Sequence, residues 1–166
     1  DENGFPAALH KASFFAIKDS GLGITVHAGE AAGWQSVQFA VQELGAKRIG
    51  HGVRSIESLD LMTTLKEKQI LLEICPTSNV HTGTFPDIHT HPVKKLYDFG
   101  IPISIGDDDP ITSRTLVSNE LTLLDQTFGF KLEDFVIIQL ASLEHSFLRD
   151  ADLKANLRKQ IQSFRK

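Results

Sequence analysis

The sequence has a single cysteine, Cys75, among its 166 residues, so an internal disulfide is excluded and a reducing, cytoplasmic setting is expected. No apolar segment approaches the roughly 20 residues that a membrane-spanning helix needs, and no membrane partner is expected. An excess of positive charge is missing too: the formal net charge is -4, the pI is near 6.0, and the positive residues gather only at Arg158-Lys159 and Arg165-Lys166. Nucleic-acid binding needs a basic patch, so no nucleic-acid partner is expected. The first residues, Asp1-Glu2-Asn3-Gly4-Phe5-Pro6, have neither the charged head nor the apolar core of a signal peptide. They also lack an initiator methionine, and the chain is expected to begin in mid-protein.

At 41% hydrophobic residues the chain is long enough for one ordinary core, and one domain or a piece of one is expected. Its organising stretch is Gly23-Ile24-Thr25-Val26-His27-Ala28-Gly29-Glu30, where a short β-branched run stops at a histidine, two small residues and a carboxylate. The same design recurs at Ile49-Gly50-His51-Gly52 and at Ile103-Ser104-Ile105-Gly106-Asp107-Asp108-Asp109-Pro110. Strands are expected at 24–27, 48–50, 70–75 and 102–105, and helices over 7–18, 33–44, 55–66 and up to Phe99 after His91-Pro92. Beyond Pro110 the spacing predicts helices over 116–128, 132–143 and 152–164. Such alternation implies a parallel α/β sheet with right-handed crossovers. Ionisable residues after successive strands favour a (β/α)8 TIM-type barrel over an open sheet, and no glycine-rich phosphate motif supports the open version. A complete barrel takes about 250 residues, so four parallel strands with helices, followed by C-terminal helices, amount to half of one.

His27 and Glu30 offer a metal ligand and a proton carrier three residues apart, and the glycines beside His51 give it room to face a ligand. Asp107 to Asp109 read either as a helix-start cluster or as adjacent carboxylates whose repulsion a cation would relieve. Histidine with carboxylate suits zinc among the divalent ions. Cys75 lacks a Pro-Cys-x-x-Cys context and reads as a buried strand residue. Cys75-Pro76-Thr77-Ser78-Asn79 is expected as a polar loop, with His81, His89 and His91 solvated in or near the irregular stretch that follows. His10 and His145 read as structural.

Four motifs in register, Val26-His27-Ala28-Gly29-Glu30, Arg48-Ile49-Gly50-His51-Gly52-Val53, Cys75-Pro76-Thr77-Ser78-Asn79 and Asp108-Asp109-Pro110, together resemble the C-terminal half of the adenosine deaminase family. The resemblance extends from Gly4-Phe5-Pro6 to Ser146-Phe147-Leu148. It implies a zinc-bearing (β/α)8 barrel that hydrolyses adenosine or deoxyadenosine, releasing ammonia. It further implies that His27 and Asp108 ligate the metal and that Glu30 protonates N1 of the purine. His51 would orient and deprotonate the attacking water, and Asp109 would hydrogen-bond N7.

Two departures stand out. Gly106-Asp107 replaces the pair common in the family before Asp-Asp-Pro, leaving Asp107 without an implied role. The family's first-strand His-x-His, the source of the other two zinc ligands, has no counterpart here. The chain alone is therefore expected to be inactive and to pair with a missing N-terminal half or with itself, because half a barrel leaves strand edges open. Adenine and N6-methyl-AMP deaminases are the alternatives within the resemblance, and Gly50 before His51 favours the adenosine enzymes. A non-catalytic structural or interaction fragment is the alternative from outside it.

Overall fold

The structure, a computed structural model, describes residues 2–165; Asp1 and Lys166 lie outside the described residues. Four strands, β1 (Thr25–Ala28), β2 (Arg48–His51), β3 (Leu71–Ile74) and β4 (Ile103–Ile105), pair in parallel in chain order. Each lies within the span its apolar run predicts or a residue beyond it. The order 1-2-3-4 with no strand inserted between neighbours is the arrangement of a barrel wall, and the fold is a partial barrel. β1 and β4 each have one neighbour in the sheet.

Helices supply the crossovers. A 3-10 turn at Ala7–His10 leads into α1 (Lys11–Asp19), and α2 (Trp34–Gln42) joins β1 to β2. After β2 comes a 3-10 turn, Val53–Glu57, and then α3 (Leu59–Glu67). The helix is capped by Ser58, whose hydroxyl accepts from the Leu61 N–H at 3.3 Å. Ser55 is taken into the turn before it.

The stretch expected as a polar loop folds instead as α4 (Pro76–His81). Proline at the first helical position starts it without wasting an N–H. The buried Glu120 carboxylate accepts from the Thr77 N–H at 3.0 Å and from Thr115 Oγ1 at 2.6 Å, which fixes its first turn. The contact that reaches this helix, Thr77 to Glu120, joins residues 43 apart in the chain, so periodicity could not announce it. Next come α5 (Val93–Phe99), the short α6 (Pro110–Ser113), α7 (Val117–Phe128), α8 (Leu132–Glu144) and α9 (Ala151–Gln162).

The two faces of the sheet differ in chemistry. Val26, Ala28, Ile49, Leu72, Ile74, Ile103 and Ile105 are buried together with Val37, Leu44, Leu65, Leu96 and Leu124 from the helices. Residues of the other parity, Thr25 and His27 on β1, are exposed. On that face Thr25 Oγ1 donates to Glu73 at 3.2 Å, Glu73 also pairs with Arg48, and the Phe147 ring lies 5.3 Å from the Arg48 guanidinium. The C-terminal Ser146-Phe147-Leu148 thus closes against the start of the strands, opposite the end that carries the motif histidines.

Gly29 is the tightest point behind that end. Its φ of +74° is left-handed, and a Cβ there would sit 2.3 Å from Val37 Cγ2 and 3.2 Å from Gly52 Cα. Gly83 has nearly the same φ, +75°, with nothing within 4 Å. Gly29→Ala should therefore cost about 2–4 kcal/mol, from strain and overpacking together, and Gly83→Ala about 1 kcal/mol from strain alone. Denaturant unfolding of the two variants measures the difference, and equal losses would refute the packing argument.

Candidate active site

β1 brings His27 to its end with the ring on the exposed face, while the buried parity belongs to Val26 and Ala28. The chain then turns through Gly29, and Glu30 folds back so that its Oε2 lies 3.3 Å from His27 Nε2. A second carboxylate holds this turn. Glu2 Oε1 accepts from the Gly29 N–H at 2.6 Å and Ser36 Oγ at 2.6 Å, and its Oε2 from the N–H groups of Glu30, Ala31 and Ala32 at 2.9–3.2 Å. Burial works against the ionised Glu2, but these donors outweigh it and hold its pKa below the ordinary value. From the opposite side Arg54 Nε donates to the Glu30 carbonyl at 2.7 Å.

β2 delivers His51, and alternation alone would turn it toward the helices with Ile49. Its ring nevertheless lies 4.5 Å from the ring of His27. The backbone explains this, because His51 has φ 61°, left-handed for a residue with a Cβ. Asp108, after β4, has φ 58°. Such conformations cost on the order of 1–3 kcal/mol each and persist where surrounding structure imposes them, commonly at functional sites. Here they re-aim two side chains toward one place. His51 Nε2 lies 3.5 Å from Glu30 Oε2 and 4.0 Å from Asp108 Oδ2, and Asp108 Oδ2 accepts from Ser78 Oγ at 2.7 Å.

Four of the five residues singled out from the sequence therefore converge: His27, Glu30, His51 and Asp108. The fifth, Asp109, caps α6. Its Oδ1 accepts from the Ile111 and Thr112 N–H groups at 3.0 Å, and its Oδ2 from Thr112 Oγ1 at 2.7 Å. These bonds, the Thr112 N–H foremost, lower its pKa. Cys75 is buried, with its thiol pushed up to about 12 by desolvation and by nearby carboxylates, and so is inert at neutral pH. His145 is structural, as expected, with Nε2 3.0 Å from the Gln69 carbonyl oxygen.

Sequence reasoning missed the groups that hold Glu30 and His51. Asn79 Nδ2 donates to Glu30 Oε1 at 2.8 Å and lies 3.1 Å from His51 Nδ1, and Thr82 Oγ1 donates to Glu30 Oε1 at 3.1 Å. His91, expected to be solvated, is 3% exposed and sits with Nε2 3.2 Å from Asn79 Oδ1. Membership of the Cys75–Asn79 motif marked Asn79. For His91 the sequence signal was only the adjacent Pro92.

Desolvation would raise the Glu30 carboxyl, but the hydrogen bond from His27, the neighbouring His51 and the Thr82 and Asn79 donors together bring it down to about 2. The hydrogen bond to Glu30 raises His27 against its own desolvation. Desolvation dominates at His51 and lowers it, so its imidazole is neutral at pH 7.

His27, Glu30 and His51 can each offer one ligand atom, with all three atoms within 4.8 Å of one another. Two imidazoles and a carboxylate, with Asp108 beside them, form a donor set that fits a divalent ion such as zinc. His27 also borders an open cleft of about 860 Å³ that includes Glu2, Phe14, Thr25, Glu30 and Thr82 among its lining residues. Histidines and carboxylates gathered beyond the C-terminal ends of parallel strands define the class as α/β-barrel proteins with a polar site on the rim.

The comparisons are specific. The sequence matches the adenosine deaminase family over residues 1–164, and the chain belongs to that family. It is 44% identical to an adenosine deaminase of Escherichia coli O1:K1 across 97% of this chain and 48% of the relative. The fold superimposes on an adenine deaminase from Arthrobacter aurescens with a TM-score of 0.93 at 26% identity, over 99% of this chain and 50% of that one. It also matches a cog1816 amidohydrolase from Burkhoderia ambifaria, solved with bound Zn, with a TM-score of 0.87 at 25% identity, over 99% and 47% of the two chains. The chain spans about half the length of the relatives it matches.

Desolvation pushes the buried His91 imidazole down from 6.5 to about 4. Between those values the unfolded chain binds a proton that the folded chain refuses. The His91 contribution to stability is therefore complete above pH 6.5 and falls by up to about 3 kcal/mol as pH drops toward 4. Urea unfolding across this range should show the slope in the wild type and a shallower one in His91→Gln. Parallel slopes would exclude the assignment.

Proposed function

We propose that this chain supplies the C-terminal half of the active site of a zinc-dependent aminohydrolase of purine metabolism, acting in the cytoplasm on adenosine and deoxyadenosine to release inosine or deoxyinosine and ammonia. The observation that carries the reading is the convergence of His27, Glu30, His51 and Asp108 on one rim, in a chain of this family. His27 and Asp108 would hold the zinc, with further ligands from the half of the barrel that this chain does not contain. When bound, zinc lowers the pKa of water to roughly 7 and so makes hydroxide available at neutral pH.

The remaining work falls to this chain's own side chains. Net reaction forms a C6–O bond and breaks the C6–N6 bond, and the amine leaves as ammonia carrying the second proton of the attacking water. Attack at C6 places negative charge on N1, and a proton delivered there by Glu30 removes it. Glu30 is ionised in this structure, so it must first take a proton, and the attacking water has one to lose. His51 orients that water. The Glu2 cradle and the Arg54 contact fix the backbone of the Glu30 turn, which is what positioning at bonding distance requires. Asp109 would face N7. N7 carries no proton, so that contact needs a protonated Asp109, and the capping bonds favour the ionised form; geometry supports this member least.

A second reading within the family, an adenine deaminase, is favoured by the likeness to the Arthrobacter enzyme. Comparing adenine with adenosine as substrate separates the two. The full-length protein with zinc should deaminate adenosine, followed by ultraviolet absorbance, and Glu30→Gln should lower kcat by about 10²–10⁴-fold. Full activity in Glu30→Gln, or preference for adenine, would overturn the reading. Expressed alone, the chain should be inactive and should elute from size exclusion as a dimer or larger species, since β1 and β4 have open edges; a stable monomer would contradict the pairing.

A further inference from the structure

Behind Glu30 and His51 runs a line of hydrogen bonds in which every proton has a determined place. It begins at Val93, whose backbone N–H donates to His91 Nδ1 at 3.1 Å. With Nδ1 accepting, the neutral His91 ring carries its proton on Nε2. That Nε2–H faces Asn79 Oδ1 at 3.2 Å. The carbonyl end of the Asn79 amide is thereby committed, and its NH2 end must face the other way. There it finds two acceptors, Glu30 Oε1 at 2.8 Å and His51 Nδ1 at 3.1 Å. Flipping the amide would set its oxygen against the ionised Glu30 and its NH2 against the His91 N–H, two repulsive contacts in place of two hydrogen bonds.

The geometry points to Asn79 and His91 as positioning residues that lock His51 in one tautomer, its proton on Nε2, and hold Glu30 in its rotamer. Both ends of His51 agree with this. Its Nδ1 faces a donor, and its Nε2 faces the carboxylates of Glu30 at 3.5 Å and Asp108 at 4.0 Å, which attract an N–H. In this tautomer His51 presents a hydrogen-bond donor to the site. It holds the attacking water through the water's oxygen, and the water's proton passes to the ionised Glu30, which delivers it to N1.

The locking network is built to stay dry. Asn79 is 0% exposed, His51 4% and His91 3%, and the Phe85 ring packs on His91 with centroids 5.2 Å apart. In such surroundings an unmatched donor or acceptor is costly, so the network has one arrangement rather than several. His91, twelve residues beyond Asn79 and buried, thus has its hydrogen-bond partner inside the network.

The inference rests on the proposed deaminase function for its kinetic consequences, but its central claim is structural. The test uses the full-length protein as isolated, labelled with 15N-histidine, with the His51 signals assigned from their loss in His51→Asn. Nitrogen chemical shifts report which ring nitrogen bears the proton. In the wild type His51 should be protonated on Nε2. Asn79→Asp replaces the donor by an acceptor and should move the proton to Nδ1, with kcat for adenosine down about 10- to 100-fold, the usual size for such supporting residues, and KM within about threefold. His91→Phe, which has no donor, should lower kcat similarly. His91→Gln, whose NH2 replaces the Nε2–H, should restore most of it.

A wild-type His51 protonated on Nδ1 overturns the proposal, whether or not any variant folds. Equal impairment of His91→Phe and His91→Gln overturns the role of His91. A wild type that shows the expected tautomer but does not act on adenosine sinks the functional reading and leaves the lock standing.

Discussion

The ionised carboxylate of Glu30 is the interaction on which the rest of the site depends. One oxygen accepts from Asn79 and Thr82, and the other faces His27 and His51. A buried carboxylate is tolerable only when its lone pairs are met, and here donors from the β1 end, the β2 end and α4 all meet it. Together they outweigh desolvation and bring its pKa down to about 2. Removing it would leave two imidazoles and an amide without their shared acceptor, so it organises the site.

Two features of the fold bring those donors together. A parallel sheet sets every strand end on one rim, which is why residues 27, 51 and 108 can meet although they are far apart in the chain. Parallel geometry alone is insufficient, because His51 has the parity of the helix-facing residues. Left-handed backbone at His51 and Asp108 overrides alternation. The strain is supported by close packing behind the rim, where Gly29, Gly52 and Val37 leave no space for another atom.

Charge is managed in layers. Glu2 neutralises the converging N–H groups of the turn after β1, so that the neighbouring Glu30 carboxylate is free to address side chains rather than its own backbone. Farther down the same sheet face, Glu73 with Thr25 and Arg48 forms a separate polar cluster that Phe147 covers. The open cleft beside His27 lies along β1, one of the two edges where the remainder of a barrel would continue.

The sequence alone determined the strands, the crossovers and four of the converging residues. Apolar runs ending in glycine and ionisable groups are local signals, and hydrophobic periodicity is enough to read them. It also offered both uses of the Asp107–Asp109 cluster, and the structure divides them: Asp109 caps a helix and Asp108 reaches the site. Tertiary structure decided what local pattern cannot carry. It made a helix of the Cys75–Asn79 motif, because Glu120 from a distant helix fixes the first turn. It buried His91, because Asn79 and Phe85 close around it. It also gave His51 its left-handed backbone, which turns the ring toward the site against the strand's alternation.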